Sequence, residues 1–595
     1  MKLQPIDFAI VAGYFVLILG LGLFFARRAR RSVLDYFLSA RSMPWWLAGT
    51  AMVATTFSAD TPLAVTEMVV KNGVAGNWLW WSMLPSGMLT VFFFARLWRR
   101  AAVMTDVELT ELRYGGRPAA FLRGFRAAYM GLMVNLIIMG WVNLGMAKVL
   151  GGTLGLSRWT ALVVCLLLTF LYTVVSGYWG VAANHGIQYL FEMGGAILLA
   201  IVSVGAVGGI EALKARVGAA HPSGSPTGVT FASARAILAA WPSPADGVWV
   251  LPTVSLAALL ALNWWASWYP GAEPGGGGYV AQNMLATRDE RHSRGAALFF
   301  NVAHYALRSW PWVVTALCSL AIYGGSVRTP AGVEDPGLNY VRMMVDFLPV
   351  GLRGLMLASF AAAYMSTQAT QMNWGSSYLV NDLYRRFVRR GASERHYVLA
   401  SRLATLLTLI LSIVVTVFMN QISKVWELLL TLGAGTGLVY ILRWYWWRIN
   451  AWSEVAAMAS ALVTSLLLRS VFDPATPRGF AWNLIATTAT TTVVWLAVTF
   501  ATRPEAPETL DAFYAKVRPA GRGWAPAAGR TGIAPPRGEI GRNFGMWVLG
   551  IALVYSVMFA TEGVIFHLPR QAFVCGMVLL ASGAFLVTLL VRERA

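Results

Sequence analysis

Trp45-Trp46-Leu-Ala-Gly-Thr-Ala-Met-Val-Ala54-Thr55-Thr56-Phe57-Ser58-Ala59-Asp60-Thr61-Pro62 starts as an apolar helix, turns polar at its middle and ends on an acid and a proline. Small and hydroxyl residues crowd its centre. Pro62 removes a backbone donor and disturbs the turn before it. An interrupted helix at membrane depth is tolerated where it lines a cavity, and its freed carbonyls can coordinate a cation. Tight helix packing through small residues is the competing reading. Packing does not account for Asp60, because an acid within a span costs about 2.5–3.5 kcal/mol on insertion scales and needs a partner or a function.

The surrounding chain supports a membrane setting. Of its 595 residues 57% are hydrophobic and 12% charged, against about 25% charged in an average soluble protein. Apolar stretches long enough to cross a bilayer recur at 5–26, 45–70, 77–98, 126–150, 157–176, 181–208, 248–268, 294–325, 351–384, 397–418, 423–447, 453–471, 480–501, 544–562 and 571–591, which predicts about fifteen transmembrane helices. The first is followed, not preceded, by Arg27 to Arg31, so it reads as a membrane helix and not a cleaved leader. The net charge of +20 gathers in alternate loops: Arg99 to Arg123, Arg288 to Arg294, Arg385 to Arg390, 502–543, and Arg592 with Arg594. That pattern marks one cytoplasmic side and predicts an outside N-terminus and a cytoplasmic C-terminus in the inner (plasma) membrane. It argues against nucleic acid as the partner; the partners expected are lipid and a small solute, with no obligate protein partner inferred. The reading divides the chain into a transmembrane domain over 1–501, a basic Pro/Gly-rich flexible cytoplasmic connection over 502–543, and a terminal helix pair over 544–595. Residues 209–247 are expected outside. Cys165, Cys318 and Cys575 lie in apolar spans without metal-ligand spacing and are expected as free buried thiols.

A second stretch answers the first. In Phe360-Ala-Ala-Ala363-Tyr-Met-Ser366-Thr367-Gln368-Ala-Thr370-Gln-Met-Asn373-Trp-Gly-Ser376-Ser377, the residues Ser366, Thr370, Asn373 and Ser377 share one helical face. Ser366 and Thr367 offer two hydroxyl oxygens one turn after the Ala363 carbonyl. Neutral oxygens suit a hard monovalent cation that must also leave. Hydroxyls bonding back to their own helix are the plainer alternative, which a whole polar face disfavours. Elsewhere at depth, His185 and Glu192 share a helix; His185 is a candidate proton relay or a structural histidine. Arg308 is expected to pair with a buried acid. Trp264-Trp265-Ala-Ser-Trp268-Tyr269 precedes the glycine run that contains Gly275 and Gly276, which reads as a hinge or inner gate at a helix end, with an interfacial aromatic belt as the rival for Trp268 and Tyr269. No zinc, nucleotide-binding or serine-nucleophile motif appears, and an enzyme is not expected.

Four stretches resemble the sodium:solute symporter family, which includes proline, sialate and sugar transporters: Tyr36-Phe37-Leu38 through Trp45-Trp46; Tyr172-Thr173-Val-Val-Ser-Gly177; Tyr279-Val-Ala-Gln282; and Ala363-x-x-Ser366-Thr367 followed by Asn373 and Asp382-Leu-Tyr384. The resemblance implies an all-α polytopic fold, with a LeuT-like core of two inverted five-helix repeats, extra N- and C-terminal helices, and alternating access. It implies Na+ as coupling ion, held by carbonyls of Ala54, Phe57 and Ala363 and the hydroxyls of Ser366 and Thr367. The chain also departs from the family. Asn184 and His185 stand where some members carry a Thr-Asp pair for a second sodium, and Ala369 replaces a helping hydroxyl. Single-ion coupling is therefore expected, with proton coupling through His185 as the alternative. The sugar-binding residues are also altered, at Thr61, within Trp78 to Trp81, and at Glu427. Solute is expected near the midplane against Thr56, Asp60, Thr61, Trp81, Trp264 and Glu427. The expected function is sodium-driven symport of a small polar organic solute; a solute-binding receptor without transport is the alternative from another class.

Overall fold

A computed structural model of the chain describes residues 3–26, 33–219, 234–241, 253–267, 273–328, 332, 334–419, 422–473 and 476–592. Helices dominate, and isolated bridges such as Met43 with Thr287 are the β-structure among the described residues. The first helix, α1 (Pro5–Ala26), buries Tyr14 and Ile18 against the protein and leaves Val16, Leu23 and Phe24 exposed. Lipid is the solvent that makes such a face stable.

The interrupted helix forms as the sequence predicts. α2 (Trp45–Thr56) ends at Phe57, whose backbone leaves the helix at φ −86° and ψ 60°, and α3 (Thr61–Asn72) restarts with Pro62 in its first turn. A proline is tolerated there because that N–H has no helical partner to lose. The break is held by α4 (Asn135–Leu154), in which Gly145 lies against Asp60: a Cβ at Gly145 would sit 2.7 Å from the Asp60 Cα. Backbone cannot swing aside as a side chain can, so Gly145→Ala is expected to destabilise the protein by about 1–3 kcal/mol and to lower the melting temperature in detergent. An unchanged melting temperature would show that the contact is looser than the structure has it.

The fifty helical residues of α5 (Arg158–Val207) cover two expected spans. They fold back on themselves. Cys165 and Thr169 meet Tyr364 while Glu192 meets Ser366, only two residues further along the same helix. A straight helix at about 1.5 Å per residue would hold Cys165 and Glu192 some 40 Å apart. A second interruption separates the apolar helix Val254–Ala266 from α6 (Gly278–Ala286). The end of α6 is tied to the start of α2 by Met43 N–H to Ala286 O (3.1 Å) and Arg288 N–H to Met43 O (3.2 Å).

α7 (Leu352–Ser377) packs against α1, α2, α4 and α5, is buried throughout Met356–Ser377, and continues as a π-helical stretch, Tyr378–Val388. Its polar face sees protein and not lipid. By length and hydropathy, nine helices among the described residues qualify to cross a membrane, ten if the pair Val425–Leu432 and Gly437–Tyr445, bent by 44°, is one span. The expected fifteen are not reproduced on this measure. Core segments such as α2, α3 and α7 are too short or too polar for it, because protein, not lipid, surrounds them.

The 502–543 segment is not the flexible connection expected. It folds as helices Pro507–Val517 and Ala525–Thr531, joined through a buried Trp524. The Trp524 ring stacks on Phe513 (5.2 Å between centroids), its N–H donates to Trp444 O (2.7 Å), and the Arg113 guanidinium lies 4.7 Å above it. One aromatic anchor and an Arg530–Asp511 ion pair (2.7 Å) order this segment. Neither leaves a helical periodicity in sequence. Cys165 and Cys318 are buried and unpaired as expected, whereas Cys575 is only half-buried.

Candidate cation and solute site

The Ser366 hydroxyl reaches across from α7 to the carbonyl of Ala54 at the end of α2, 2.9 Å away. It also lies 3.1 Å from Ala363 O in its own helix and 3.0 Å from Oε1 of Glu192 in α5. The Thr367 hydroxyl is 2.7 Å from Thr55 O and 3.1 Å from Ala363 O. Two hydroxyl protons thus face four acceptor oxygens, so both cannot satisfy all. A small cation among these oxygens would resolve the surplus. Four of the five residues expected to hold sodium, Ala54, Ala363, Ser366 and Thr367, converge directly. Phe57 lines a small adjoining cavity together with Ala363 and Glu192. The Thr55 carbonyl and Glu192 also belong to the cluster and lay outside the expected set. The back-bonding alternative is present too, since both hydroxyls contact Ala363 O, but it accompanies the cross-helix contacts and does not replace them.

Two more residues of the α7 face are engaged across helices, while Ser377 bonds back to Trp374 O of its own helix (2.7 Å). Thr370 pairs with the Thr55 hydroxyl (2.9 Å), and Asn373 Oδ1 accepts from Gln282 of α6 (2.6 Å). His185 is buried, and its Nε2 is 3.5 Å from the Thr370 hydroxyl, at the outer limit of a hydrogen bond.

A cavity of about 770 Å3, its mouth included, opens beside the cluster. Thr55 and Thr367 line it as well as the cation site, and Thr56, Asp60 and Thr61 contribute from the broken helix. Its aromatic wall comes from Trp80, Trp141, Tyr279 and Trp426, and its polar wall from His304, Arg308 and Gln371. This mixture of aromatic faces and a few polar groups suits an organic solute. Three expected solute residues are elsewhere. Trp81 is fully buried against Trp78, Trp80 and Trp310, one helical step from the cavity-lining Trp80. Trp264 rests on Trp547, with ring centroids 5.4 Å apart. Glu427 follows Trp426, which takes the wall position.

Arg308 does not make the direct acid pair expected of it. It donates to the Thr56 hydroxyl (2.8 Å) and to His304 O (3.2 Å), and its guanidinium lies 5.3 Å over the Trp312 ring. Asp60 and Glu192 act on it only through space. Buried Asp60 lines the cavity between Ser58 and Trp426, so its carboxylate is within reach of a solute as an acceptor. His304 and Arg308 sit in and just after the π-helical stretch Val302–Leu307. Such bulges turn side chains off the regular helical face, which is why spacing did not join His304 to the site.

Of the gate residues, Trp268 and Tyr269 lie outside the described residues. Gly275 and Gly276 form a buried elbow with φ of +87° and +77°, where glycine is favoured. Gly275 O accepts from Trp98 Nε1 (2.7 Å), and Gly278 N–H donates to Asp106 (3.3 Å). Asp106 also accepts from Tyr378, which accepts in turn from Trp374 Nε1 (2.6 Å). Nearby, Asp382 holds Arg123 and Thr105, each at 2.7 Å. Movement of the elbow would have to break its bonds to Trp98 and Asp106, the second of which is tied to the end of α7 through Tyr378.

Comparison with known proteins agrees with this geometry. The family model described as "Sodium:solute symporter family" matches residues 36–463. A sodium/mannose cotransporter of Bos taurus is 25% identical over 507 residues, covering 80% of this chain and 81% of its own. A sodium/myo-inositol cotransporter of Homo sapiens is 25% identical over 495 residues, covering 79% and 70%. The fold is shared with a substrate-bound, outward-open Na+-coupled sialic acid symporter, at a TM-score of 0.66 and 19% identity over 85% of this chain and 99% of that one. With a match over well more than half its length, the chain belongs to the sodium:solute symporter family, as a multi-pass membrane transporter of a small-molecule solute whose coupling ion is Na+.

Proposed function

We propose that this chain is a secondary active symporter, not an enzyme or receptor, that carries a small polar organic solute inward by alternating access with one Na+ per cycle. It would lie in the plasma membrane with its N-terminus outside and its C-terminus in the cytoplasm. The observation that carries the reading is the double duty of Thr55 and Thr367, which meet in the cation cluster and line the solute cavity. A cation that draws these oxygens together joins α2 to α7 and sets the cavity wall at once, so each ligand favours the state that binds the other.

The first solute class to test is polyhydroxylated. Indole faces such as Trp80, Trp141 and Trp426 pack against the C–H face of a ring, while Asp60, Gln371 and Arg308 offer acceptors and donors for hydroxyls. The relatives named for mannose and myo-inositol belong to this class. Purified protein in liposomes should accumulate a radiolabelled hexose or inositol above the external concentration when an inward Na+ gradient is imposed, and not with K+ in its place. Equal uptake in Na+ and K+ would remove the coupling; solute binding without accumulation would favour the receptor.

A further inference from the structure

We propose that Glu192 is the charged ligand of the sodium site, a role separate from the neutral oxygens of Ala54, Phe57, Ala363, Ser366 and Thr367. The inference rests on the sodium-coupled reading of that cluster. Glu192 is fully buried in α5, with Oε1 3.0 Å from the Ser366 hydroxyl. That hydroxyl has one proton and is already within reach of two carbonyls. The other oxygen, Oε2, has no hydrogen-bond partner among the described residues. A buried carboxylate with one shared donor and one orphaned oxygen is costly in a protein interior. The carboxylate borders the small cavity that Phe57 and Ala363 also line, so it meets the expected carbonyl ligands around one space.

The charge balance of the interior points the same way. Asp60 and Glu192 are two buried acids that each interact with the one Arg308 guanidinium at long range. A buried carboxyl without a cation beside it favours its protonated form, and a monovalent cation takes that proton's place. Five neutral oxygens alone would leave the ion's charge uncompensated at membrane depth, where charge is expensive. With Glu192 as ligand, the loaded site is neutral, which matches single-ion coupling. The carboxylate also recruits α5 as a third element, beside α2 and α7, that the ion holds together.

The test reads Na+ binding without transport. The purified protein is heated in detergent across a Na+ series, with K+ making up constant ionic strength, and the Na+ concentration giving half of the thermal stabilisation is recorded. Glu192→Gln, nearly the same shape without the charge, should raise that concentration at least tenfold and reduce the preference for Na+ over K+, while the protein in K+ alone melts no lower than the parent. Glu192→Asp keeps the charge but withdraws it by one methylene, and should give a several-fold rise. A parental half-point in either folded variant overturns the proposal, since a purely structural acid would change the melting temperature but not the Na+ dependence. The double change S366A/T367A separates the levels. If it abolishes the Na+ response while Glu192→Gln keeps the parental one, the Glu192 role fails and the sodium site stands. If Na+ and K+ act alike on the parent, both fail.

Discussion

The S366A/T367A variant is expected to require about 100-fold more Na+ for half-maximal uptake, while still folding and reaching the membrane. Each hydroxyl reaches from α7 to a carbonyl of α2, Ser366 to Ala54 at 2.9 Å and Thr367 to Thr55 at 2.7 Å. Contacts to a charged partner are worth roughly 1.5–3 kcal/mol each. Two at the low end make about 3 kcal/mol, which is about a hundredfold in affinity. Folding should suffer less. In the absence of the ion the same hydroxyls serve acceptors that outnumber them, and the Ala54 carbonyl they leave also accepts from the Phe57 N–H (3.1 Å). The single changes should differ in kind. Ser366 touches the ion cluster alone, so S366A should shift the Na+ dependence and leave the solute KM at saturating Na+ unchanged. Thr367 also lines the solute cavity, so T367A should shift both. Unchanged Na+ activation in the double variant would mean that the coupling ion binds elsewhere.

Much of this site was legible because it was written in local patterns. The break at Phe57-Ser58-Ala59-Asp60 and the adjacent hydroxyls Ser366 and Thr367 are contiguous in sequence, and their chemistry follows from being polar in an apolar context. What was not legible depended on rotation and on distant partners. Trp80 and Trp81 differ by one helical step, about 100°, and composition cannot say which faces the cavity. Trp426 and Glu427 pose the same problem. By its charge the acid reads as the solute contact, yet the indole takes the wall. His304 carried no local signal, since the π-helical turn that redirects it has no fixed residue code. Glu192 was visible as an acid at depth, but its meeting with Ser366, 174 residues away, needed the packing of α5 on α7. The 502–543 segment shows the limit from the other side. Its low periodicity and Pro/Gly content are those of a loose loop, while its order comes from the docking of Trp524 beneath Arg113 and against Trp444.

The charge pattern of the solute cavity makes the remaining large prediction. Arg308→Gln is expected to lower solute uptake at least 100-fold and to destabilise the protein by about 3 kcal/mol. The guanidinium is the positive group near two buried carboxylates, and removing one partner of a buried charge set typically costs about 3–5 kcal/mol. It also donates at 2.8 Å to the Thr56 hydroxyl on the broken helix, so its loss frees a wall of the cavity as well as a charge. Asp60→Asn should likewise abolish uptake, since it removes the charged acceptor that the cavity offers the solute. Its effect on stability should be small, because it deletes a costly buried charge. The combination D60N/R308Q is the informative case. If the two groups compensate one another through space, the double variant should regain most of the stability lost in R308Q, by 1–2 kcal/mol or more in a double-mutant cycle of about the usual size for coupled neighbours. Uptake should not return, because both recognition groups are gone. Additive losses of stability would show that Arg308 is balanced by Glu192 alone, and would make the Asp60 carboxylate a solute contact with no electrostatic tie to the guanidinium across the cavity.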